Sequence, residues 1–252
     1  MNATNPTQFQ KPFLIIETGQ PVPSMRRHGR FPHWIRVAAG LPADAAVVVN
    51  VEHGEALPVH DGFAGALITG SGAMVTERRD WSERSAGWLR AAADAGLPLF
   101  GICYGHQLLA HALGGEVGDN PVGREMGTVG IDLHPEAGHD PLFDGLPTQF
   151  MAQATHLQSV LKTPRGAVVL AQSAQDGCHA FRWGRSAWGV QFHPEFSITH
   201  MRGYVHAKHE ALAREGRCSR QLSRTISATP HARRVLRRFV RHARAVHATT
   251  TD

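Results

Sequence analysis

Pro98-Leu99-Phe100-Gly101-Ile102-Cys103-Tyr104-Gly105-His106-Gln107-Leu108-Leu109-Ala110 reads as a strand running straight into a helix, with Cys103 at the junction. A short apolar run over 98–102 suits a strand covered on both faces. The stretch 104–113 has helical character, and Gly114-Gly115 supplies its stop. Gly101 and Gly105 stand two residues either side of Cys103. This G-x-C-x-G pattern parallels the G-x-S-x-G elbow, in which a strained turn lifts a nucleophile above a sheet. Side chains at the two glycine positions would collide with so tight a backbone. A cysteine at a helix N-terminus also feels unpaired N–H groups and the positive end of the helix dipole, which favour the thiolate. The Tyr104 N–H then points where a tetrahedral oxyanion would form. A buried structural cysteine is the alternative, and the remainder of the chain decides between the two.

Three further runs precede the elbow: 13–16 (FLII), 46–51 (AVVVNV) and 65–68 (GALI). Between the last of these and the elbow, Trp81, Ser85, Trp88, Leu89 and Ala92 recur at helical spacing. Strand, helix, strand is the alternation of a parallel sheet with right-handed crossovers. From about 121 to 195 the runs 129–133, 150–154, 168–171, 180–183 and 188–192 are separated by turn residues, which predicts an antiparallel or mixed β region. Helices are expected over 198–214 and 230–247, the second opened by Thr229-Pro230 as N-cap and first helical residue. The expected fold class is α/β: one open, mostly parallel sheet with helices on both faces plus a small antiparallel β region. The 252 residues read as one domain, with a core over about 13–196 and closing helices over about 198–247.

A thiolate nucleophile needs a base and a group that orients the base. Gly189-Val190-Gln191-Phe192-His193-Pro194-Glu195-Phe196 offers both at the end of an apolar strand. Residues i and i+2 of an extended segment project to one side, and Pro194 favours that extension. The Glu195 carboxylate can hold one nitrogen of His193 while the other faces sulfur. A second oxyanion donor is expected from the backbone of Gly70 or Ser71, in the flexible Thr69-Gly70-Ser71-Gly72 that follows the strand 65–68.

Composition narrows the alternatives. Residues 1–200 carry a net charge of −4 and residues 201–252 a net +9, so the overall +5 is a property of the C-terminal part alone. The lysines are Lys11, Lys162 and Lys208, and none follows a glycine, which excludes a phosphate-cradling P-loop. No run approaches the ~18–20 apolar residues of a membrane span, and MNATNPTQFQKP lacks the features of a secretory signal. Cys103, Cys178 and Cys218 form no CxxC pair, so neither a disulfide framework nor a cysteine zinc site is suggested. A cytoplasmic, reducing location is expected. His200, His206 and His209 lack the i,i+4 spacing of a helical metal site and read as surface histidines, while Cys178 and Cys218 read as structural.

PLFGICYGHQLLAHALGG (98–115) and WGVQFHPEF (188–196) resemble the two signatures of class I glutamine amidotransferases. LITGSGAMV (67–75) is similar to the family's oxyanion strand, NPVGREMG (120–127) to the stretch after the nucleophile helix, and MAQATHLQSV (151–160) to its histidine-containing strand. The closest flavour is the stand-alone, GMP-synthase-like group. The resemblance implies a flavodoxin-like sheet and a triad of Cys103 as nucleophile, His193 as base and Glu195 as its orienting carboxylate. It implies Gln107 and His156 at the glutamine pocket, and neither metal nor cofactor. Two departures stand out. Thr69-Gly70-Ser71-Gly72 replaces the family's S-G-G-P, which preserves a backbone donor. His156-Leu157-Gln158 replaces His-x-Asp, which removes a carboxylate that would recognise a substrate ammonium.

Released ammonia needs an acceptor, and the chain has neither an SGGxDS loop nor a P-loop. One expectation is therefore a glutaminase that serves a separate ATP-dependent synthetase chain. The alternative is a free-standing γ-glutamyl hydrolase or peptidase. A more remote one is a binding module built on the basic segment 232–242, where Val235, Leu236, Phe239 and Val240 form an apolar stripe amid arginines. Packing of that stripe on the sheet is the favoured reading, so neither nucleic acid nor membrane is expected as a partner.

Overall fold

A computed structural model describes residues 11–248, apart from the side chains of 247 and 248; most of the N-terminal stretch read for a leader, residues 1–10, lies outside it. In chain order the strands are β1 Phe13–Glu17, β2 Ala46–Asn50, β3 Gly65–Ile68, β4 Leu99–Ile102, β5 Glu116–Asp119, β6 Glu125–Leu133, β7 Gln149–His156, β8 Gln158–Lys162, β9 Ala167–Gln172, β10 Ala180–Trp183 and β11 Ala187–Val190. The helices are α1 Phe31–Ala39, α2 Asp80–Asp94, α3 Tyr104–Ala112, α4 Ile198–Ala207, α5 His209–Arg214, α6 Ser219–Arg224 and α7 Pro230–Ala248.

Nine strands form one sheet in the order β2-β1-β3-β4-β11-β10-β9-β6-β7. From β2 to β11 every pairing is parallel, and from β11 to β7 every pairing is antiparallel. The antiparallel strands thus continue the parallel sheet, and β5 with β8 makes a separate two-stranded sheet. Strand β11 is the seam. It lies parallel to β4 with Val190 opposite Ile102, which brings the ends of the two strands side by side.

Alternation along β1 explains the layers. Phe13 and Ile15 join one buried cluster with Ile35 and Ala38 of α1 and Val235, Leu236 and Phe239 of α7. Leu14 and Ile16 join the opposite cluster with Leu89 and Ala92 of α2 and Leu108 and Leu109 of α3. A strand buried on both faces requires an apolar residue at every position, and FLII meets that requirement. Strand β2 departs from the same expectation. It is the edge of the sheet, and Val47 and Val48 are exposed.

The apolar stripe of α7 is fully covered, each large residue contributing roughly 1.5–3 kcal/mol by leaving water. Its arginines satisfy nearby backbone: Arg237 Nε donates to the Ala38 carbonyl at 3.0 Å and Arg238 Nη1 to that of Leu142 at 3.1 Å. The packed-helix reading of the basic segment is the one found. The helix expected over 198–214 is interrupted at Lys208, whose backbone (φ −103°, ψ 15°) ends α4 and opens α5. Among the described residues no helix is long and apolar enough to cross a membrane.

Candidate active site

Cys103 joins β4 to α3 at φ 52° and ψ −101°, a left-handed conformation that a non-glycine residue adopts only under strain. The glycines around it have specific steric causes. A β-carbon on Gly101 would run into the Gly105 carbonyl and lie 2.7 Å from the His106 nitrogen, and one on Gly105 would lie 2.5 Å from the Ile68 carbonyl oxygen. Backbone bonds anchor the elbow to its neighbours. Cys103 N–H donates to Val190 of β11 at 2.9 Å, and Gly105 N–H donates to Thr69, just after β3, at 3.2 Å. Three strand ends therefore converge on one sulfur, which is 3.8 Å from the Thr155 carbonyl oxygen. First-turn N–H groups have no acceptor within their own helix, so the start of α3 presents positive charge to that sulfur.

His193 follows β11 and is held by its own backbone, whose N–H donates to Gln153 of β7 at 2.7 Å. Its Nδ1–H donates to Glu195 Oε1 at 2.8 Å, and both side chains are buried. The Phe196 ring covers one face of the imidazole, and Nε2 has no hydrogen-bond partner among the described residues. Burial is the largest single influence on this imidazole and opposes its proton. The charges of Glu195 and Cys103, together with the hydrogen bond to Glu195, outweigh it and raise the pKa to about 10. Gly70 sits against the ring: a β-carbon there would lie 3.0 Å from His193 Cε1 and 3.9 Å from Cys103 Cβ. The structure thus brings Cys103, His193, Glu195 and the Gly70 backbone into one locus.

A cavity of about 140 Å³ opens beside this locus, and Cys103, Tyr104, Ser71, Gln107, His156 and His193 all line it. The amide nitrogen of Gln107 is committed to the Gln158 carbonyl (2.6 Å) and to Gln191 Oε1 (2.9 Å). Both nitrogens of His156 are likewise occupied, Nδ1–H by the Gln158 carbonyl at 3.0 Å and Nε2 by Glu125 Oε2 at 2.9 Å. His156 therefore offers the cavity its ring and no free nitrogen.

Sequence reasoning gave no role to Arg124, Lys208 and Tyr204, which also line the cavity. It also missed a buried cluster behind the cavity: Glu125 Oε2 accepts from His156 and, at 2.5 Å, from His179 Nε2, while Ser173 Oγ donates to Oε1 at 2.7 Å. Glu125, His156 and His179 carry ligand-type atoms within 4.8 Å of one another. Tetrahedral donors at ~2.0–2.1 Å from zinc lie farther apart than the two hydrogen bonds here allow, so the arrangement is that of a carboxylate bridging two imidazoles. Elsewhere, His200 is not a surface histidine: it completes a capping box with Ser197 and stacks on Trp34, ring centroids 4.0 Å apart. Cys178 is buried, but Cys218 is exposed and packs no core.

A cysteine held in a strained elbow, with a His–Glu pair in the same locus at the carboxyl ends of parallel strands, is the arrangement that a thiol nucleophile and its base require. The model of the family described as glutamine amidotransferase class-I matches residues 41–209, and the chain belongs to that family. It is an enzyme of the amidohydrolase and amidotransferase kind. Its relatives include a glutamine-hydrolysing GMP synthase of Aeropyrum pernix, 38% identical over 147 residues, a match that spans 58% of this chain and only 26% of that one. A glutamine-hydrolysing GMP synthase subunit of Methanococcus maripaludis is 33% identical over 173 residues, covering 68% of this chain and 85% of the relative. A γ-glutamyl-L-1-hydroxyisopropylamide hydrolase of a Pseudomonas species is 28% identical over 211 residues, covering 81% and 68%. In fold, a glutamine amidotransferase of Thermotoga maritima superposes with a TM-score of 0.73 at 19% identity, covering 93% of this chain and 99% of that one.

Proposed function

We propose that the chain hydrolyses the side-chain amide of glutamine through Cys103, His193 and Glu195, and that the ammonia passes to a separate ATP-dependent synthetase chain in the cytoplasm. The observation that carries this is the buried imidazole of His193, held by Glu195 at 2.8 Å and lining the same cavity as Cys103. An imidazole fixed by a carboxylate in the same locus as a cysteine is the pairing a thiol nucleophile requires.

The sulfur attacks the amide carbon, and the resulting oxyanion is met by the Tyr104 N–H and a backbone N–H of Gly70 or Ser71. As the C–N bond breaks, His193 Nε2 delivers its proton to the departing ammonia, leaving a γ-glutamyl thioester on Cys103. His193, now neutral, takes a proton from water, which attacks the thioester and releases glutamate and the thiolate. Glu195 fixes the imidazole and balances its charge throughout. We assign Gln107 and His156 to the pocket wall, with Gln107 holding Gln158 and Gln191 in place.

The test is ammonia release from glutamine by the purified chain, with Cys103→Ala as the control. Retention of activity in that variant would remove the proposal. A second reading, a free-standing γ-glutamyl hydrolase, is favoured by one observation: the neutral Gln158 lines the pocket where the resemblance implies a carboxylate. Rapid turnover of γ-glutamyl amides by the isolated chain, with glutamine turned over slowly, would select it.

A further inference from the structure

The cavity beside Cys103 has an unusual charge balance. Among the described residues that line it none is Asp or Glu, while Arg124 and Lys208 both do. A free α-amino acid carries an ammonium as well as a carboxylate into such a space. Its carboxylate meets Lys208 and Arg124, the latter also bonded to Glu215, whereas its ammonium meets those cations and the protonated His193 with no anionic side chain among the described residues of the wall.

Gln158 shows what the wall offers instead. Its Nε2 donates to Thr76 Oγ1 at 2.7 Å and to Asp119 Oδ1 at 3.0 Å. An ionised carboxylate only accepts, so the end of the amide facing Asp119 is its nitrogen. The opposite end, Oε1, is buried and has no hydrogen-bond partner among the described residues. Gln158 therefore brings a neutral amide to the lining, where a carboxylate would have given an ammonium its countercharge. An acylated α-nitrogen is neutral and needs no such countercharge. Asp119 does not line the cavity and is engaged by Gln158, and Glu215, which accepts from Arg124 Nε at 2.9 Å, does not line it either.

Resting on the reading that Cys103 attacks a γ-carboxamide, we infer that the site selects glutamine residues whose α-nitrogen is acylated and whose α-carboxylate is free, in preference to free glutamine. N-acylglutamines and the C-terminal glutamine of a peptide share that chemistry. The neutral acylamide spares the wall an unpaired ammonium, and Arg124 with Lys208 takes the carboxylate. Gln158 is then the residue that sets the preference.

The experiment compares L-glutamine with N-acetyl-L-glutamine on the native chain, by kcat/KM for ammonia release and by the concentration of each that protects Cys103 from iodoacetamide. The second measurement does not depend on turnover. N-acetylglutamine is expected to be favoured at least about tenfold, and Gln158→Asp is expected to move the ratio toward glutamine by a similar factor. The wild-type ratio decides even where the variant folds poorly. Equal or better use of free glutamine overturns the preference and leaves the role of Cys103 standing. A chain that hydrolyses neither compound, and whose Cys103 is no more reactive than the exposed Cys218, overturns both.

Discussion

The Phe196 ring lies face to face with the imidazole of His193, centroids 4.1 Å apart and planes 26° from parallel. Glu195 fixes His193 in its own plane, and Phe196 fixes it from above, so the ring has little freedom to turn away from sulfur. Phe196 in turn stacks on Phe31 and meets Trp34 edge-on at 5.7 Å, which ties the imidazole to α1. Phe196→Leu keeps an apolar side chain of similar bulk and is expected to cost less than about 1.5 kcal/mol of stability. Its kcat is expected to fall about tenfold, with KM little changed, because orientation rather than binding is lost. Steady-state kinetics beside a thermal melt check this, and an unchanged kcat refutes it.

Gly101→Ala places a methyl group against the backbone of Gly105 and His106, which cannot withdraw without opening the first turn of α3. A loss of about 1–3 kcal/mol is expected, together with most of the activity, since the elbow that aims Cys103 is what moves. Gly87→Ala is the contrasting case, because nothing lies within 4 Å of a β-carbon there. Urea unfolding of the two variants side by side measures the difference.

His193 makes a pH prediction whose sign follows from its raised pKa. The folded imidazole holds its proton to about 10, against an ordinary value of 6.5. The stabilisation is fully present below pH 6.5, declines as pH rises, and is gone above about 10. The stability gap between wild type and His193→Gln is therefore expected to narrow steadily from neutral to alkaline pH. Denaturant titrations at three pH values check it, and a gap that widens refutes it.

Glu125 behaves in the opposite sense. Burial alone would raise its pKa, but hydrogen bonds from His156, His179 and Ser173 hold the carboxyl well below its usual range. Its contribution is present above about pH 4.5 and is lost as pH falls below that value. Glu125→Gln removes the anion that two buried imidazoles share and is expected to cost about 3–5 kcal/mol at neutral pH. The gap between wild type and variant should narrow progressively as the solution is acidified below about pH 4.5. Parallel acid-unfolding curves would contradict this.

What was legible in the sequence was what is locally enforced. Gly101 and Gly105 are dictated by clashes with residues close by, and His193 and Glu195 share an extended segment, so their relationship is written in adjacent letters. The apolar run 13–16 announced a strand because both faces of that strand are covered. Other features had weaker local signals. Helix α1 was overlooked although Pro32 and the left-handed Gly40 bracket it, because its apolar residues lie in an otherwise polar, arginine-rich stretch. Strands β5 and β8 form a small sheet of their own and carry no strong alternation. Glu125 and His179 meet only through pairing far along the chain, and Arg124 and Lys208 reach the cavity from different elements. No spacing rule connects such residues before the fold does.

The seam at β11 has a consequence for how the chain tolerates change. Cys103 and His193 are kept together by the ladder that sets Val190 opposite Ile102, and by the bond from Cys103 to Val190, rather than by the long excursion between them. Extra residues spliced into an exposed turn of that excursion, such as the one around Gly184 between β10 and β11, leave this ladder untouched. The molecule can thus acquire new surface there without retuning its chemistry, whereas a single-residue slip of β11 would turn every side chain of that strand to the wrong face.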